Sequence, residues 1–360
     1  MRKLKSPLLN VLGSNRVSPA YGPGESPMPM PNGWFCVGLS AEFAPGDMAN
    51  RQLGSEDVVV YRTASGVLRA TRPYCPHLGA HLGQSGTVDG EELICSFHRF
   101  RYGADGVCSA TGPAYRKVPK LKLSMVPVRE LHGFVMAWLH HDGAEPTWEI
   151  PELDTTGFSA PVQHLIEIPG HPQEVAENAF DFGHLTALHG KVFCGSDGAC
   201  KFEDSPSAGS QGTLSMRIPL PWGEKRLEVP YEIKLHGLGH IVTTMYLPGG
   251  PVQRSIILAT PIGPWRVQVR SCLSTKVDAP RLLPDAVGQA FAQIASKAMA
   301  RMALETHIRL LVMPEKDGDG PIWATKKYYP RPRVIDGDGP LLQYRKWAEQ
   351  FYPSETPRHP

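Results

Sequence analysis

Nowhere do the 360 residues approach eighteen consecutive apolar positions, so no segment is expected to cross a bilayer as a helix. An excess of one charge is missing too. With 37 Lys and Arg against 35 Asp and Glu, the net charge of +2 gives no electrostatic reason to bind nucleic acid. The basic start MRKLKSPLLNVLGSN interrupts its apolar run at Asn10 and Gly13 and has no small-residue cleavage site. A secretory leader is therefore not expected, and a soluble cytoplasmic protein is. The seven cysteines, scattered from Cys36 to Cys272, are odd in number and do not form a secreted disulfide framework; metal ligation and burial compete for them. No G-x-G-x-x-G follows a strand-like run, so NAD(P)H and flavin are expected on another protein.

What is present suggests two domains. Hydrophobic residues at 41% and charged residues at 20% are the balance of an ordinary globular chain, and the length exceeds the usual span of one core. Residues 1–34, rich in Pro and Gly (SPAYGPGESPMPMPNG), read as an arm without a core of its own. Residues 35–140 show short β-type runs (EDVVVYRT, KLKLSMVPV, GFVMAWLH) between Gly turns, as in a compact all-β module. Residues 141–160 read as a linker. Within 161–360, a helix candidate around QEVAENAFDFGHLTALHG precedes alternating strands, and the amphipathic segment DAVGQAFAQIASKAMARMALETHIRLLV follows them. Helices flanking an antiparallel sheet predict an α+β fold.

The stretch CPHLGAHLGQSGTVDGEELICSFH carries two mixed pairs, Cys75 with His77 and Cys95 with His98. Cys₂His₂ zinc is one reading, but zinc fingers group cysteine with cysteine and histidine with histidine. One thiolate and one imidazole from each loop suit a two-iron cluster, with Cys75 and Cys95 on one iron and His77 and His98 on the other. This is the Rieske arrangement. His81 falls outside the spacing and reads as a packing or supporting residue.

Farther on, Asp181, His184 and His189 form D-x-x-H-x4-H. Positions five apart on an ideal helix diverge by about 140°, so both histidines reach one metal only where the helix end is loosened. Non-haem iron takes two histidines and a carboxylate. In EKDGDGPIW the acids Glu315, Asp317 and Asp319 are available, and Asp319, on a turn fixed by Gly320 and Pro321, is preferred with Asp317 as its rival. The repeated DGDGP, at 317 and 336, lacks the other ligands of a calcium loop and reads as turns.

Taken together, NGWFCVGLSAEFAPGD, CPHLGAHLG, HGFVMAWLH, the N-x-x-D-x-x-H-x4-H segment, DGPIW and DGDGPLLQYRKWAEQFYP resemble the oxygenase component of Rieske non-haem iron systems. The similarity is to the branch of steroid ring hydroxylases and cholesterol desaturases. Respiratory Rieske proteins carry a further cysteine in each loop, where this chain has Ala80 and Phe97. That places the cluster at the low end of the Rieske range, about −150 mV.

The resemblance implies an N-terminal Rieske [2Fe-2S] domain, a C-terminal helix-grip (START-like) catalytic domain with mononuclear Fe(II), and a head-to-tail homotrimer. It also implies a bridge by Asp181 between a Rieske histidine, here His98, and His184 of the next chain, with Asn178 near the iron. The expected reaction is O2-dependent monooxygenation of a sterol or steroid, at a ring carbon or a methyl group such as one at C-4, within a cavity walled by the strands between Gly212 and Val277. Electrons would come from a separate NAD(P)H-dependent ferredoxin or flavin reductase. Arg99-Phe100 stands where the family usually has Gly-Trp, and the positive charge that Arg99 adds beside the cluster with Arg101 would either help an acidic ferredoxin dock or form a solvated surface. Rival readings are an aromatic acid or alkaloid substrate, and a non-catalytic Rieske electron carrier.

Overall fold

The computed structural model describes residues 20–220, 223–280, 282–312 and 318–353. The chain divides into two compact units: Met30–Leu153 together with Thr260–Pro264, and the remaining described residues.

The first unit is built of antiparallel sheets. Gly33–Leu39, Phe134–Leu139 and Val128–Leu131 form one; Met48–Leu53, Glu56–Arg62, Leu68–Thr71 and Met125–Val126 form a second. Gly86–Asp89, Glu92–Cys95, Phe100–Tyr102 and Cys108–Ala110 form the third. Alternation places Phe35 and Val37, Val58 and Val60, and Val135 and Ala137 in one core. A smaller core gathers Cys75, Cys95, Tyr102 and Cys108. Part of the stretch read as a linker belongs to this unit: Trp148 packs edge-on against Trp138 at 5.5 Å, and its carbonyl accepts from the Trp34 indole at 2.9 Å.

The second unit carries an antiparallel sheet of eight strands, one of which, Val252–Gly263, continues along the chain into the first unit at Thr260. Its order is Val162–Pro169, Arg266–Lys276, Val252–Gly263, His240–Tyr246, Gly223–His236, Ser207–Leu220 and Phe193–Ser196, with Ala199–Phe202 also paired to Ser207–Leu220. The long helix Asp285–Val312 packs on Arg266–Lys276 and Val162–Pro169. This is the α+β arrangement the alternation pattern predicts. Among the described residues, no helix is long and apolar enough to cross a membrane.

Two local expectations are corrected. The single helix expected over 173–190 is two short ones, Pro172–Glu177 and Phe182–Ala187. Asp181, in an extended conformation, caps the second by accepting from His184 N–H at 3.1 Å. Phe180 is fully buried at the break, so the chain turns there to place an aromatic ring in the core. Asp319 is not on a turn but is the first residue of the helix Asp319–Thr325, where a carboxylate is favoured by the helix dipole. Glu315 and Asp317 lie outside the described residues.

Candidate active site

Two tight loops of the first unit carry the mixed pairs. In the first, Cys75 N–H donates to Ala80 C=O and Gly79 N–H to Cys75 C=O, both at 2.9 Å, and the positive φ of Gly79 (74°) lets the loop turn back. In the second, Cys95 ends a strand, and Arg99 N–H returns to its carbonyl at 2.8 Å before the chain re-enters the sheet at Phe100. Both sulfurs are buried. The His77 and His98 rings, less buried, lie 4.6 Å apart at 76°, and His77 stacks on Phe100. The structure thus brings all four residues together.

The surroundings act on the sulfurs in opposite senses. Burial pushes the Cys95 thiol up, while the N–H groups of Phe97 and His98 donate to its sulfur and favour the thiolate. The Tyr102 hydroxyl lies 3.0 Å from Cys75 Sγ, a contact that nothing in the local spacing announces. His81 stands apart at the start of the short helix Leu82–Ser85, with Nε2 3.6 Å from Asp57. The charge of Arg101 is engaged by Asp89 at 2.8 Å and Glu92 at 2.5 Å, whereas Arg99 is exposed.

In the second unit His184 sits on Phe182–Ala187 and His189 just past its end. The loosening required of that end is present: both Leu188 N–H and His189 N–H reach His184 C=O, at 2.7 and 3.3 Å, the second an i to i+5 bond. The two rings lie 5.4 Å apart at 81°. Asp319, 130 positions away, places Oδ1 3.1 Å from His189 Nε2. One ligand atom each from His184, His189 and Asp319 falls within a 4.8 Å group. His189 Nδ1 is buried without a partner. His184 Nδ1 donates to the carbonyl of Asp181, which leaves Nε2 for a metal.

The local charges agree with that layout. Burial pushes the Asp181 carboxyl up, but the hydrogen bond and charge of His184 outweigh it and hold it below its usual value. Burial disfavours His184 protonation, yet Asp181 and Asp319 together raise it. The donor set of two imidazoles and one carboxylate suits ferrous iron.

The three side chains form part of the wall of a cavity of about 370 Å³, which Asn178 also lines. Leu214, Met216, Ile233, Ile241, Ile257 and Val269 make it mostly apolar. Thr243 faces Ser255 across paired strands, and Gln253 lies two residues farther along the same strand. Among the described residues, none of these three side chains makes a hydrogen bond. His307, which no sequence pattern marks, lines the cavity from the long helix and pairs through Nε2 with Ser271 Oγ at 2.8 Å; burial pushes it down to about 4, so it is neutral.

Comparison with known proteins agrees with both halves. The Rieske [2Fe-2S] domain family matches residues 33–122, and the 3-ketosteroid 9alpha-hydroxylase C-terminal domain matches residues 137–352. Cholesterol 7-desaturase of Xenopus laevis is 27% identical over 362 residues, covering 93% of this chain and 74% of that protein. The probable 3-ketosteroid-9-alpha-monooxygenase oxygenase component of Rhodococcus rhodochrous is 27% identical over 347 residues, covering 91% and 82%. Among solved structures, dicamba monooxygenase bound to 3,6-dichlorosalicylic acid matches with a TM-score of 0.66 at 14% identity, covering 89% of this chain and 96% of that one, a likeness of fold. Paired thiolate and imidazole loops, a separate His/His/Asp group and family matches across both halves leave one conclusion: the chain belongs to the Rieske non-haem iron oxygenases, in the family defined by the 3-ketosteroid 9α-hydroxylase C-terminal domain.

Proposed function

We propose that this chain oxidises a sterol or steroid, at a ring carbon or a methyl group such as one at C-4, using O2 and electrons from a separate reductase. The observation that carries the reading is the apolar cavity of about 370 Å³ with His184, His189 and Asp319 in its wall. Its volume and lining suit a rigid lipid-like molecule rather than a small charged acid. The relatives named for cholesterol and 3-ketosteroid chemistry support the same class, and one is named as an oxygenase component, which supports a separate electron supplier.

In this reading Cys75 and Cys95 hold one cluster iron, His77 and His98 the other, and His184, His189 and Asp319 hold Fe(II). When bound, the cluster supplies single electrons and the Fe(II) centre supplies the place where O2 is activated. The chain's own residues orient and insulate. The carbonyl of Asp181 fixes the His184 tautomer, and the apolar strands exclude water from the substrate. Thr243, Gln253 and Ser255 offer hydrogen bonds to one oxygen of an otherwise apolar guest. Asn178, in the cavity wall, contacts the guest near the metal. In a homotrimer Asp181 links His184 to His98 of the partner subunit.

The test is to reduce the purified protein and add sterols, steroids, aromatic acids or alkaloids one at a time, following oxidation of the cluster. Oxidation triggered by a sterol or steroid is expected. A response confined to an aromatic acid or alkaloid would replace the substrate class. Two irons per chain rather than three would reduce the protein to an electron carrier.

A further inference from the structure

We infer that Lys326 is a positioning residue for the metal trio: its bridge to Glu174 and Glu177 sets the place of Asp319 relative to His184 and His189. The inference rests on the reading that these three side chains hold iron.

The three ligands come from two segments far apart in sequence, and each segment is joined to the same buried charge network. Asp319 opens the helix Asp319–Thr325, and Lys326 closes it, with its N–H on Ile322 C=O at 2.8 Å. Lys326 Nζ lies 2.6 Å from Glu174 and 3.8 Å from Glu177. Both glutamates belong to Pro172–Glu177, and after four intervening residues the chain starts the helix that carries His184. Glu174 and Glu177 are 1% and 5% exposed. Arg345, from the helix Leu341–Ala348, clamps Glu177 with two bonds of 2.6 and 2.9 Å. The same region is tied at Gln173, whose carbonyl accepts from Tyr344 at 2.8 Å and whose side chain accepts from Tyr352 at 2.7 Å.

Two buried acids thus face two cations, and at Glu174 burial pushes the carboxyl up against the opposing charge of Lys326. Such a network is a poor device for stability, because apolar residues of similar volume stabilise a core as well or better. What it supplies is registry: a short buried ionic contact fixes the separation of the two segments, and metal ligands tolerate only about 0.5 Å of displacement. The helix bearing Asp319 has seven residues, so a shift at Lys326 is felt at its first residue.

The test measures Fe(II) affinity and labile sulfide in the same preparations, with the cluster as an internal control for folding. Lys326→Met leaves Glu174 buried and unbalanced and can fail to fold. The informative variant is therefore Lys326→Met with Glu174→Gln, which removes one charge of each sign. Expected are wild-type sulfide content and an unchanged cluster spectrum, with Fe(II) affinity at the mononuclear site about tenfold to 100-fold weaker. Lys326→Arg should restore most of the affinity. Wild-type affinity in the double variant would overturn the inference, as would parallel loss of sulfide and iron. A wild-type protein that binds no third iron would instead overturn the underlying reading, and that failure is visible before any variant is made.

Discussion

The hydroxyl of Tyr102 lies 3.0 Å from the sulfur of Cys75, and both groups are buried. Tyr102 and Cys75 reach each other from separate parts of the sheet and loop framework. With a thiolate at Cys75, the hydroxyl donates, and the bond strengthens as the cluster gains negative charge on reduction. Tyr102→Phe should therefore lower the reduction potential. The potential reads only the gain in bond strength on reduction, so the whole of a charged hydrogen bond, about 1.5 kcal/mol or about 60 mV for a one-electron couple, is the upper limit of the shift. Redox titration followed by EPR reads it; an unchanged potential would remove Tyr102 from the tuning of the cluster.

Asp181 serves as a helix cap in this structure and as the link between metal sites in the proposed mechanism, and Asp181→Asn separates the two roles. Asparagine caps as well as aspartate, so stability should change by less than about 0.5 kcal/mol. Both metal sites should stay occupied while turnover stops. Normal turnover in this variant would leave Asp181 with its capping role alone.

Gln253 lies in the cavity wall with Ser255 and Thr243. If Gln253 binds a substrate oxygen, Gln253→Leu removes one neutral hydrogen bond. KM for the oxygenated substrate should rise about threefold to tenfold with kcat little changed, as expected for uniform binding. An analogue lacking that oxygen should bind both proteins equally. Equal losses for the two ligands would assign the effect to shape instead.

His171 gives a pH dependence. It is fully buried, with Nε2–H donating to Pro29 C=O at 3.1 Å and Nδ1 accepting from Gln173 N–H at 3.2 Å. Protonation would set two donors against each other at Nδ1, and burial pushes the group down to about 4 from 6.5. Above pH 6.5 neither folded nor unfolded chain is protonated here, so the contribution is flat. Between 6.5 and 4 the unfolded chain takes up a proton that the folded chain refuses, and stability falls as pH falls, by about 3 kcal/mol in total. His171→Asn keeps an acceptor at the helix start and should flatten that part of the curve in denaturant titrations. An equally steep fall in the variant would place the dependence elsewhere.

The cluster loops were legible because their information is local: two pairs, each inside one tight turn, need no knowledge of the rest of the fold. The same holds for His184 and His189, whose spacing demanded a loosened helix end that the structure supplies. What escaped depends on contacts between distant segments. The break at Asn178–Asp181 follows from the burial of Phe180, which helical periodicity does not report. The rigidity of a turn favours Asp319 among three acids, whereas the residue is held at the start of a helix. Tyr102, His307 and the pairing of Lys326 with Glu174 had no signal at all, since each joins residues that local patterns treat as unrelated.

The first unit is discontinuous in the chain. Thr260 donates to Cys36 C=O at 2.8 Å, and Pro261 C=O accepts from Gly54 N–H at 2.8 Å, so the unit is finished by residues that follow it by more than a hundred positions. During synthesis the iron–sulfur half must therefore wait for most of the second half to leave the ribosome before its last bonds close. A gene cut after Leu153 would yield a fragment with open hydrogen-bonding groups, and the two halves are poorly suited to exchange as independent cassettes.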